Sequence, residues 1–139
     1  MTNRPAIVTG GRKFNGTPAA EKWLLLQLHR HAADIVYHGD CGERDDAGRV
    51  VHGADLWAAE VAARVLGLPS RPFPADWSRH GDRAGPLRNW SMAFVASQPG
   101  LVPVCLAFPG GAGTGSMINY AARRGIEVIK YSPAGRGGR

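Results

Sequence analysis

Short apolar segments alternate with longer segments of helical periodicity along almost the whole chain. The strand-like segments are PAIVTGG (5–11), ADIVYHG (33–39), PSRPFPADW (69–77), LVPVCLAFPGG (101–111) and IEVIKY (126–131). Four helical segments separate them, at 17–31, 53–67, 85–100 and 114–125. Apolar strands that alternate with helices are typical of a parallel sheet covered on both faces. The sequence therefore predicts an α/β fold with about five mainly parallel strands, in the order 3-2-1-4-5.

The size and apolar content of the chain fit one domain with its own core. It has 139 residues, of which 44% are hydrophobic, and we predict one domain over residues 1–131 followed by a flexible basic tail, 132–139. No apolar run is long enough to span a bilayer, and the N-terminal segment does not have the form of a secretory signal. These features predict a cytoplasmic protein with no membrane partner. The net charge of +6 favours anionic partners.

One polar segment interrupts the alternation. Residues 40–52, DCGERDDAGRVVH, are rich in glycine and charge and longer than a usual strand-to-helix connection. A disordered surface loop and a flap beside a binding site both remain open.

Two glycine-rich turns follow the first and fourth predicted strands. Gly10 and Gly11 end the first strand, whereas Gly110, Gly111 and Gly113 follow the fourth. Ligands of open parallel sheets bind beyond the carboxyl ends of the strands, where the strand order reverses. In the predicted order that reversal lies between strands one and four, so we expect the two turns to face each other across one crevice.

The second glycine turn has the chemistry of a phosphate site. Its glycines can adopt positive φ and expose backbone N–H groups, and a helix beginning near Thr114 adds unpaired N–H donors and a partial positive charge. A tight turn without a ligand is the alternative, although four glycines within residues 110–115 exceed what a turn needs. Arg12 beside the first turn suits a phosphate. Neither turn matches a dinucleotide fingerprint or a P-loop.

Five motifs in one order resemble a known superfamily. IVTGGRKF, GADLWAAEVA, FPADW, GPLRNWSM and FPGGAGTGSM are similar to the YspA-like branch of the SLOG superfamily, which is related to the LOG phosphoribohydrolases and to DprA. The resemblance covers roughly residues 5 to 130. It implies a single Rossmann-like three-layer domain with a pocket for nucleotides or nucleotide-derived ligands.

The resemblance also implies site residues. The compact motif of the relatives matches His38 and Gly39 before the 40–52 segment, and Gly53 and Asp55 after it. The GPLRNWSM motif places Arg88 and Asn89 at the ligand crevice, and Pro109 begins the phosphate motif. The two acidic residues of LOG enzymes are replaced here by Ser116 and Met117, which cannot ionise for acid–base catalysis.

Several of these residues also have alternative roles that need no ligand. Asp55 can cap its helix, bind a ribose or base, or act as a catalytic residue, and Arg88 and Asn89 can be solvated surface groups. We expect Trp77 and Trp90 to serve mainly in packing, although an indole can also stack on a nucleobase. The spacing of the histidines, cysteines and acidic residues fits no zinc or calcium pattern, so we predict neither a metal nor a cofactor.

Three functions follow from the sequence. The first is binding of a nucleotide-derived phosphorylated ligand, as a sensor or a sequestering protein. The second is hydrolysis of an N-glycosidic bond with Asp55 in the catalytic role. The third is DNA binding, which the absence of a basic, aromatic-interleaved stripe disfavours. Surplus apolar residues on the segments 88–96 and 118–125 predict a homodimer.

Overall fold

A computed structural model describes residues 2–132. Within that range the strands are β1 (Pro5–Thr9), β2 (Ile35–His38), β3 (Glu43–Arg44), β4 (Val50–His52), β5 (Ser70–Pro72), β6 (Val104–Ala107) and β7 (Glu127–Lys130). The helices are α1 (Pro18–Arg30), α2 (Ala54–Leu66), α3 (Trp77–His80), α4 (Ala84–Ala96) and α5 (Ala112–Arg123), with a 3-10 turn at Gly81–Arg83. The predicted basic tail lies outside the described residues, apart from Ser132.

Five strands, all except β3 and β4, form one parallel sheet. Its order is β5-β2-β1-β6-β7, and β1 pairs in parallel with β2 on one side and with β6 on the other. Numbered along the chain and without the small hairpin, this is the order 3-2-1-4-5. The predicted α/β class, parallel sheet and strand order are confirmed.

Helices cover both faces of the sheet and enclose two apolar cores. One core joins Val8 and Leu106 of the sheet to Leu24 of α1 and Val61 of α2. The other core packs Ile7 and Cys105 of the same strands against α4 and α5, through residues such as Met92, Met117 and Ala121. Side chains of successive strand residues point to opposite faces, and for that reason strands buried on both faces are apolar throughout. This is a three-layer Rossmann-like domain.

Two helix ends agree with the helical segments 17–31 and 53–67. The Thr17 side chain accepts a hydrogen bond from Ala20 N at 3.1 Å, and Pro18 occupies the first helical position of α1. Gly67 ends α2 with φ +66 in the left-handed region, which glycine adopts without steric cost. These signals are local, and sequence therefore identifies them well.

The 40–52 segment contains a hairpin that periodicity did not reveal. β3 and β4 pair antiparallel in a two-stranded sheet of their own. Asp45 forms the turn, because its Oδ1 accepts hydrogen bonds from Ala47 N and Arg49 N. Strands this short lack a readable alternation, so periodicity does not predict the hairpin. Of the two alternatives, the paired strands contradict the disordered surface loop.

The region before α4 differs from the sequence-based prediction. The third sheet strand covers only Ser70–Pro72 of the predicted segment 69–77, and the one-turn helix α3 begins at Trp77, the last residue of that segment. Helix α3 and the 3-10 turn fill the connection to α4, for which the sequence predicted no element. The Asp76 side chain caps α3 by accepting from Arg79 N at 3.1 Å. In the part of the chain from 2 to 132, no helix combines the length and apolar character that crossing a membrane requires.

Candidate functional site

A cavity of about 470 Å³ opens at the carboxyl ends of β1 and β6, where the strand order reverses. Its volume lies in the range of small-ligand sites. The structure therefore brings the two glycine turns together across one crevice, as the strand order predicted. The predicted site residues that line this cavity are Gly10, Gly11, Arg12, Gly39, Asp55, Arg88, Asn89, Gly111, Gly113 and Thr114.

The remaining predicted site residues lie behind the cavity wall. Pro109 O accepts a hydrogen bond from Gly11 N at 2.8 Å, which joins the two glycine turns. Gly110 packs against Thr114 and Gly11, and Gly53 precedes α2 in a contact with Gly42 that leaves no room for a Cβ. These three positions shape the loops rather than line the cavity.

His38 is the fourth predicted residue outside the cavity lining. It is buried at the end of β2, where its Nδ1 accepts a hydrogen bond from Asp40 N at 3.0 Å. Burial lowers the pKa of His38, because the charged imidazolium is poorly solvated there. A neutral ring that accepts a backbone hydrogen bond stabilises the turn into the hairpin.

The first turn of α5 presents bare backbone to the cavity. Gly111 precedes the helix without a side-chain cap, and the first helical hydrogen bond runs from Gly115 N to Gly111 O at 3.1 Å. The N–H groups of Ala112, Gly113 and Thr114 therefore have no acceptor within the helix. The helix begins two residues before the predicted Thr114, so Thr114 lies inside the first turn.

The glycines of this turn are not explained by positive φ. Neither Gly111 nor Gly113 lies in the left-handed region, and a Cβ built on either would meet no atom within 4 Å. The expected conformational reason for glycine is therefore wrong at these two positions. Their missing side chains instead leave the cavity floor open along the helix N-terminus.

The glycine turn after β1 has a different role. A Cβ on Gly10 would lie 2.5 Å from Ala54 Cβ and 2.9 Å from Phe108 Cβ, so only glycine allows β1, α2 and β6 to approach this closely. The Gly11 amide is already engaged by Pro109, and Gly11 O accepts from Phe14 N and Ala54 N, both at 3.1 Å. This turn is a packed wall of the cavity.

Two arginines, Arg12 and Arg88, line the cavity. Arg88 is anchored by protein acceptors, because its Nη1 donates to the carbonyls of Gly39 and Phe73 and its Nε donates to Asn89 Oδ1 at 2.8 Å. Its Nη2 faces Cys41 Sγ at 3.8 Å. Within residues 2–132 the Arg12 guanidinium makes no hydrogen bond or ion pair, so all its donors are available in the crevice.

Asp55 is a buried carboxylate in the cavity wall. It is 5% exposed, and its Oδ2 accepts from Gly39 N at 3.0 Å and from Cys41 N at 3.3 Å. Desolvation raises the pKa of Asp55 to about 6, although the two backbone N–H groups and the Arg88 charge oppose the rise. Asp55 thus holds the loop after β2 and does not cap its own helix.

Asn89 joins α4 to the first turn of α5. Its Nδ2 donates to Gly113 O at 3.2 Å and lies 3.4 Å from Ser116 Oγ, while its Oδ1 accepts from Arg88. Both amide protons are therefore directed at protein acceptors. The arrangement fixes the distance between the Arg88 guanidinium and the α5 N-terminus.

The base of the hairpin is attached to the turn after β1. His52 Nδ1 lies 2.9 Å from Arg12 O, and His52 Nε2 lies 3.0 Å from Glu43 Oε1. Cys41, which starts the hairpin segment, lines the cavity. The inserted segment therefore borders the crevice at its root, whereas its turn at Asp45–Gly48 is exposed.

Sequence reasoning missed several residues of the cavity wall. The cavity is also lined by Cys41, Trp77, Asp82, Gly85, Pro86 and Met92. Trp77 and Trp90 lie outside both apolar cores, since each is 49% exposed, although Trp90 packs against Phe94 and Trp77 against Gly85. The motifs FPADW and GPLRNWSM contain or border most of these residues. Closeness to these motifs was therefore the sequence signal that could have identified them.

Comparison with known proteins identifies one relative over nearly the full chain. The chain is 32% identical over 131 residues to the Gene 61 protein of Mycobacterium phage D29, and the alignment covers 92% of this chain and 96% of the phage protein. No protein-family model matches the chain. The chain therefore belongs to the family of the phage D29 Gene 61 protein.

Proposed function

We propose that this protein binds a nucleotide or a nucleotide-derived phosphorylated ligand in the crevice between the two glycine turns. A phosphate would accept hydrogen bonds from the free N–H groups of the first turn of α5, at the positive end of the helix dipole. The ligand would be sensed or sequestered rather than turned over.

The observation that carries this proposal is the pair of glycines at the α5 N-terminus. Gly111 and Gly113 line the cavity, lie outside the left-handed region and have open space where a Cβ would be. The fold itself does not require glycine at either position. A ligand that approaches the backbone closely does require it, because side chains there would separate an anion from the N–H groups.

The charges around the crevice support an anionic ligand. Arg12 and Arg88 both line the cavity. Arg88 is held in place by its backbone acceptors, and of the two N–H groups of Nη2, one is directed at Cys41 Sγ and the other remains for a ligand. A guanidinium that is already oriented loses little freedom on binding a phosphate oxygen. Asp55 is the opposing charge, and its burial favours the neutral carboxyl.

The resemblance to the YspA-like branch of the SLOG superfamily agrees with this function. All five motifs that carry the resemblance lie wholly or partly around the cavity. We therefore also propose membership of that superfamily, and with it action in the cytoplasm as a homodimer.

A pair of charge-matched variants tests the phosphate site. Gly111→Asp places a carboxylate and a Cβ at the cavity, and we expect at least about a tenfold loss of affinity for ribose 5-phosphate and AMP, by charge repulsion over a few ångströms. Gly115→Asp adds the same charge to the same helix, at a position that is exposed and does not line the cavity.

Isothermal calorimetry of the two folded variants provides the measurement. We expect Gly115→Asp to bind as the wild type does. Equal affinities in the wild type, Gly111→Asp and Gly115→Asp would refute the proposed phosphate position, and so would a wild-type protein that binds neither ligand.

Hydrolysis of an N-glycosidic bond is a second candidate function. It is favoured by Asp55, which lines the cavity and has a pKa raised to about 6 by burial, close to the value that suits a general acid or base. Against it, Ser116 lines the cavity where LOG enzymes carry an acidic residue. Free-base release from a nucleoside monophosphate, measured by chromatography on the wild type and Asp55→Asn, distinguishes the two candidates.

A further inference from the structure

Trp77 is unlike the other tryptophans of this protein. Trp23, Trp57 and Trp90 each pair with another aromatic ring, at centroid distances of 5.3, 5.4 and 5.2 Å to Phe108, Phe14 and Phe94 respectively. Within residues 2–132, Trp77 pairs with no ring and no cation. A large aromatic side chain that is half exposed and unpaired leaves apolar surface without a partner.

The indole of Trp77 is nevertheless held in a defined place. Its Cη2 lies so close to the buried Gly85 that a Cβ on Gly85 would be 3.2 Å away. The capped helix α3 fixes the backbone below it, since Asp76 accepts from both Arg79 N and Ser78 Oγ. Trp77 also lines a second cavity of about 240 Å³ that shares Arg12, Cys41 and Arg88 with the first. The indole thus stands between two adjoining parts of the crevice.

Asp82 adds an acceptor to the same wall. It follows α3 in the 3-10 turn, is exposed and lines the main cavity together with Gly85 and Pro86. Among residues 2–132 no hydrogen bond or ion pair engages its carboxylate. An ionised carboxylate only accepts hydrogen bonds, so this part of the wall selects ligand groups that donate them.

We infer that Trp77 and Asp82 form a nucleobase subsite, in which the base stacks on the indole and its exocyclic amino group donates to the Asp82 carboxylate. This inference rests on the proposed function, because the phosphate at α5 anchors the other part of the ligand. The two walls differ in chemistry: N–H donors lie at α5, whereas an aromatic face and an acceptor lie at α3. A ribonucleotide with adenine or guanine matches both walls, whereas a ribonucleotide whose base lacks an exocyclic amino group loses that hydrogen bond to Asp82 and keeps the phosphate contacts and the stack.

Four probes separate the contributions of phosphate, base and amino group. Ribose 5-phosphate has no base, IMP has a base without an exocyclic amino group, and AMP and GMP have both. We expect the wild type to bind AMP or GMP more tightly than IMP, and IMP more tightly than ribose 5-phosphate. Calorimetry on the full-length protein measures all four affinities.

Two variants with matched controls test the residues. Trp77→Ala should lower the affinities for AMP, GMP and IMP by roughly tenfold, the size expected for loss of a stacked base, without changing that for ribose 5-phosphate. Trp90→Ala removes an equally exposed indole from outside the cavity and should change none of them. Asp82→Ala should lower the affinities for AMP and GMP to the affinity for IMP. Asp46 is an exposed aspartate on the hairpin turn, and Asp46→Ala should leave all these affinities unchanged.

The outcomes distinguish this inference from the proposed function. Ribose 5-phosphate binding that is lost in Gly111→Asp, together with equal AMP affinity in Trp77→Ala and Trp90→Ala, would overturn the base subsite alone. An unchanged preference for AMP and GMP over IMP in Asp82→Ala would overturn the role of Asp82. Failure of the wild type to bind any of the four probes would overturn both proposals.

Discussion

A buried carboxyl and a buried imidazole lie on either side of the 40–52 segment, Asp55 in the first turn of α2 and His38 at the end of β2, and they respond to pH in opposite directions. Burial raises the pKa of Asp55 to about 6 from an ordinary 3.8, so the folded state holds this proton more tightly than the unfolded chain does. Burial lowers the pKa of His38, so the folded state resists taking up that proton. The Asp55 contribution lowers stability as pH rises from about 4 to about 6, whereas the His38 contribution lowers stability as pH falls below 6.5.

We predict that Asp55→Asn removes the first of these contributions. The amide oxygen can still accept from the N–H groups of Gly39 and Cys41, but no charge is buried. Relative to the wild type, the variant should gain up to about 3 kcal/mol in free energy of unfolding between pH 4 and pH 6, and keep that gain above pH 6.

Urea denaturation of both proteins across this pH range is the measurement. The difference between the two curves cancels the His38 contribution, which both proteins share. A constant difference from pH 4 to pH 7 would show that Asp55 ionises as an ordinary carboxyl.

At the scale of the element, the hairpin β3–β4 contacts the crevice through the residues at its base. His52 attaches it to Arg12 O, and Cys41 at its start lines the cavity. The Arg44 guanidinium donates to Gly48 O at 3.0 Å within the hairpin. The hairpin therefore acts on the crevice through its base rather than through its charged turn.

We predict that hydrogen exchange in residues 40–52 slows when AMP saturates the crevice. A ligand that contacts Arg12 and Cys41 would stabilise the base of the hairpin, and local opening would become rarer. Replacing residues 44–50 with a short glycine linker should weaken AMP binding while the sheet still folds, because the hairpin forms a sheet of its own.

Residues 31–34 provide the internal control for this exchange measurement. They connect α1 to the start of β2, at the end of the sheet away from the cavity, and should exchange equally with and without AMP. If AMP changed the exchange rate of neither segment, the hairpin would have no part in ligand binding.

At the scale of the whole molecule, helix α4 carries an apolar stripe that is largely exposed among residues 2–132, where the Arg124 guanidinium lies over the Phe94 ring. Leu87, Trp90 and Phe94 are 41%, 49% and 40% exposed, and their spacing places them on one face of the helix. Trp90 and Phe94 stack with an interplanar angle of 13°. Stripes of this kind mark interaction surfaces.

We predict that this stripe joins two copies of the chain, so that light scattering gives a mass twice 14.8 kDa. Phe94→Glu should produce the monomer, because it places a charge within the apolar contact. Val102→Glu changes an equally apolar, 51% exposed residue off the stripe and should leave the dimer intact. A wild-type mass near 14.8 kDa at micromolar concentration would contradict the prediction.

The sequence by itself determined the layers of this protein and the position of its crevice. Strand and helix periodicity are local properties, as are the Thr17 cap and the Gly67 terminus, so a single pass along the chain identifies them. Parallel strands also place their carboxyl ends on one edge, and the two glycine turns were therefore expected to meet. The glycine turn at α5 was correctly placed, although positive φ was the wrong reason for it.

Only the tertiary structure decided what each side chain does at the crevice. Asp55 bonds to amides 14 and 16 residues away, and Arg88 bonds to carbonyls 15 and 49 residues away, so no local pattern indicates either anchor. The close approach of Gly10 to Ala54 and Phe108 likewise depends on three elements distant in sequence. Trp77 is exposed because α3 turns it towards Gly85 and away from both apolar cores. Such contacts form only when separate elements pack, and hydrophobic periodicity therefore does not predict them.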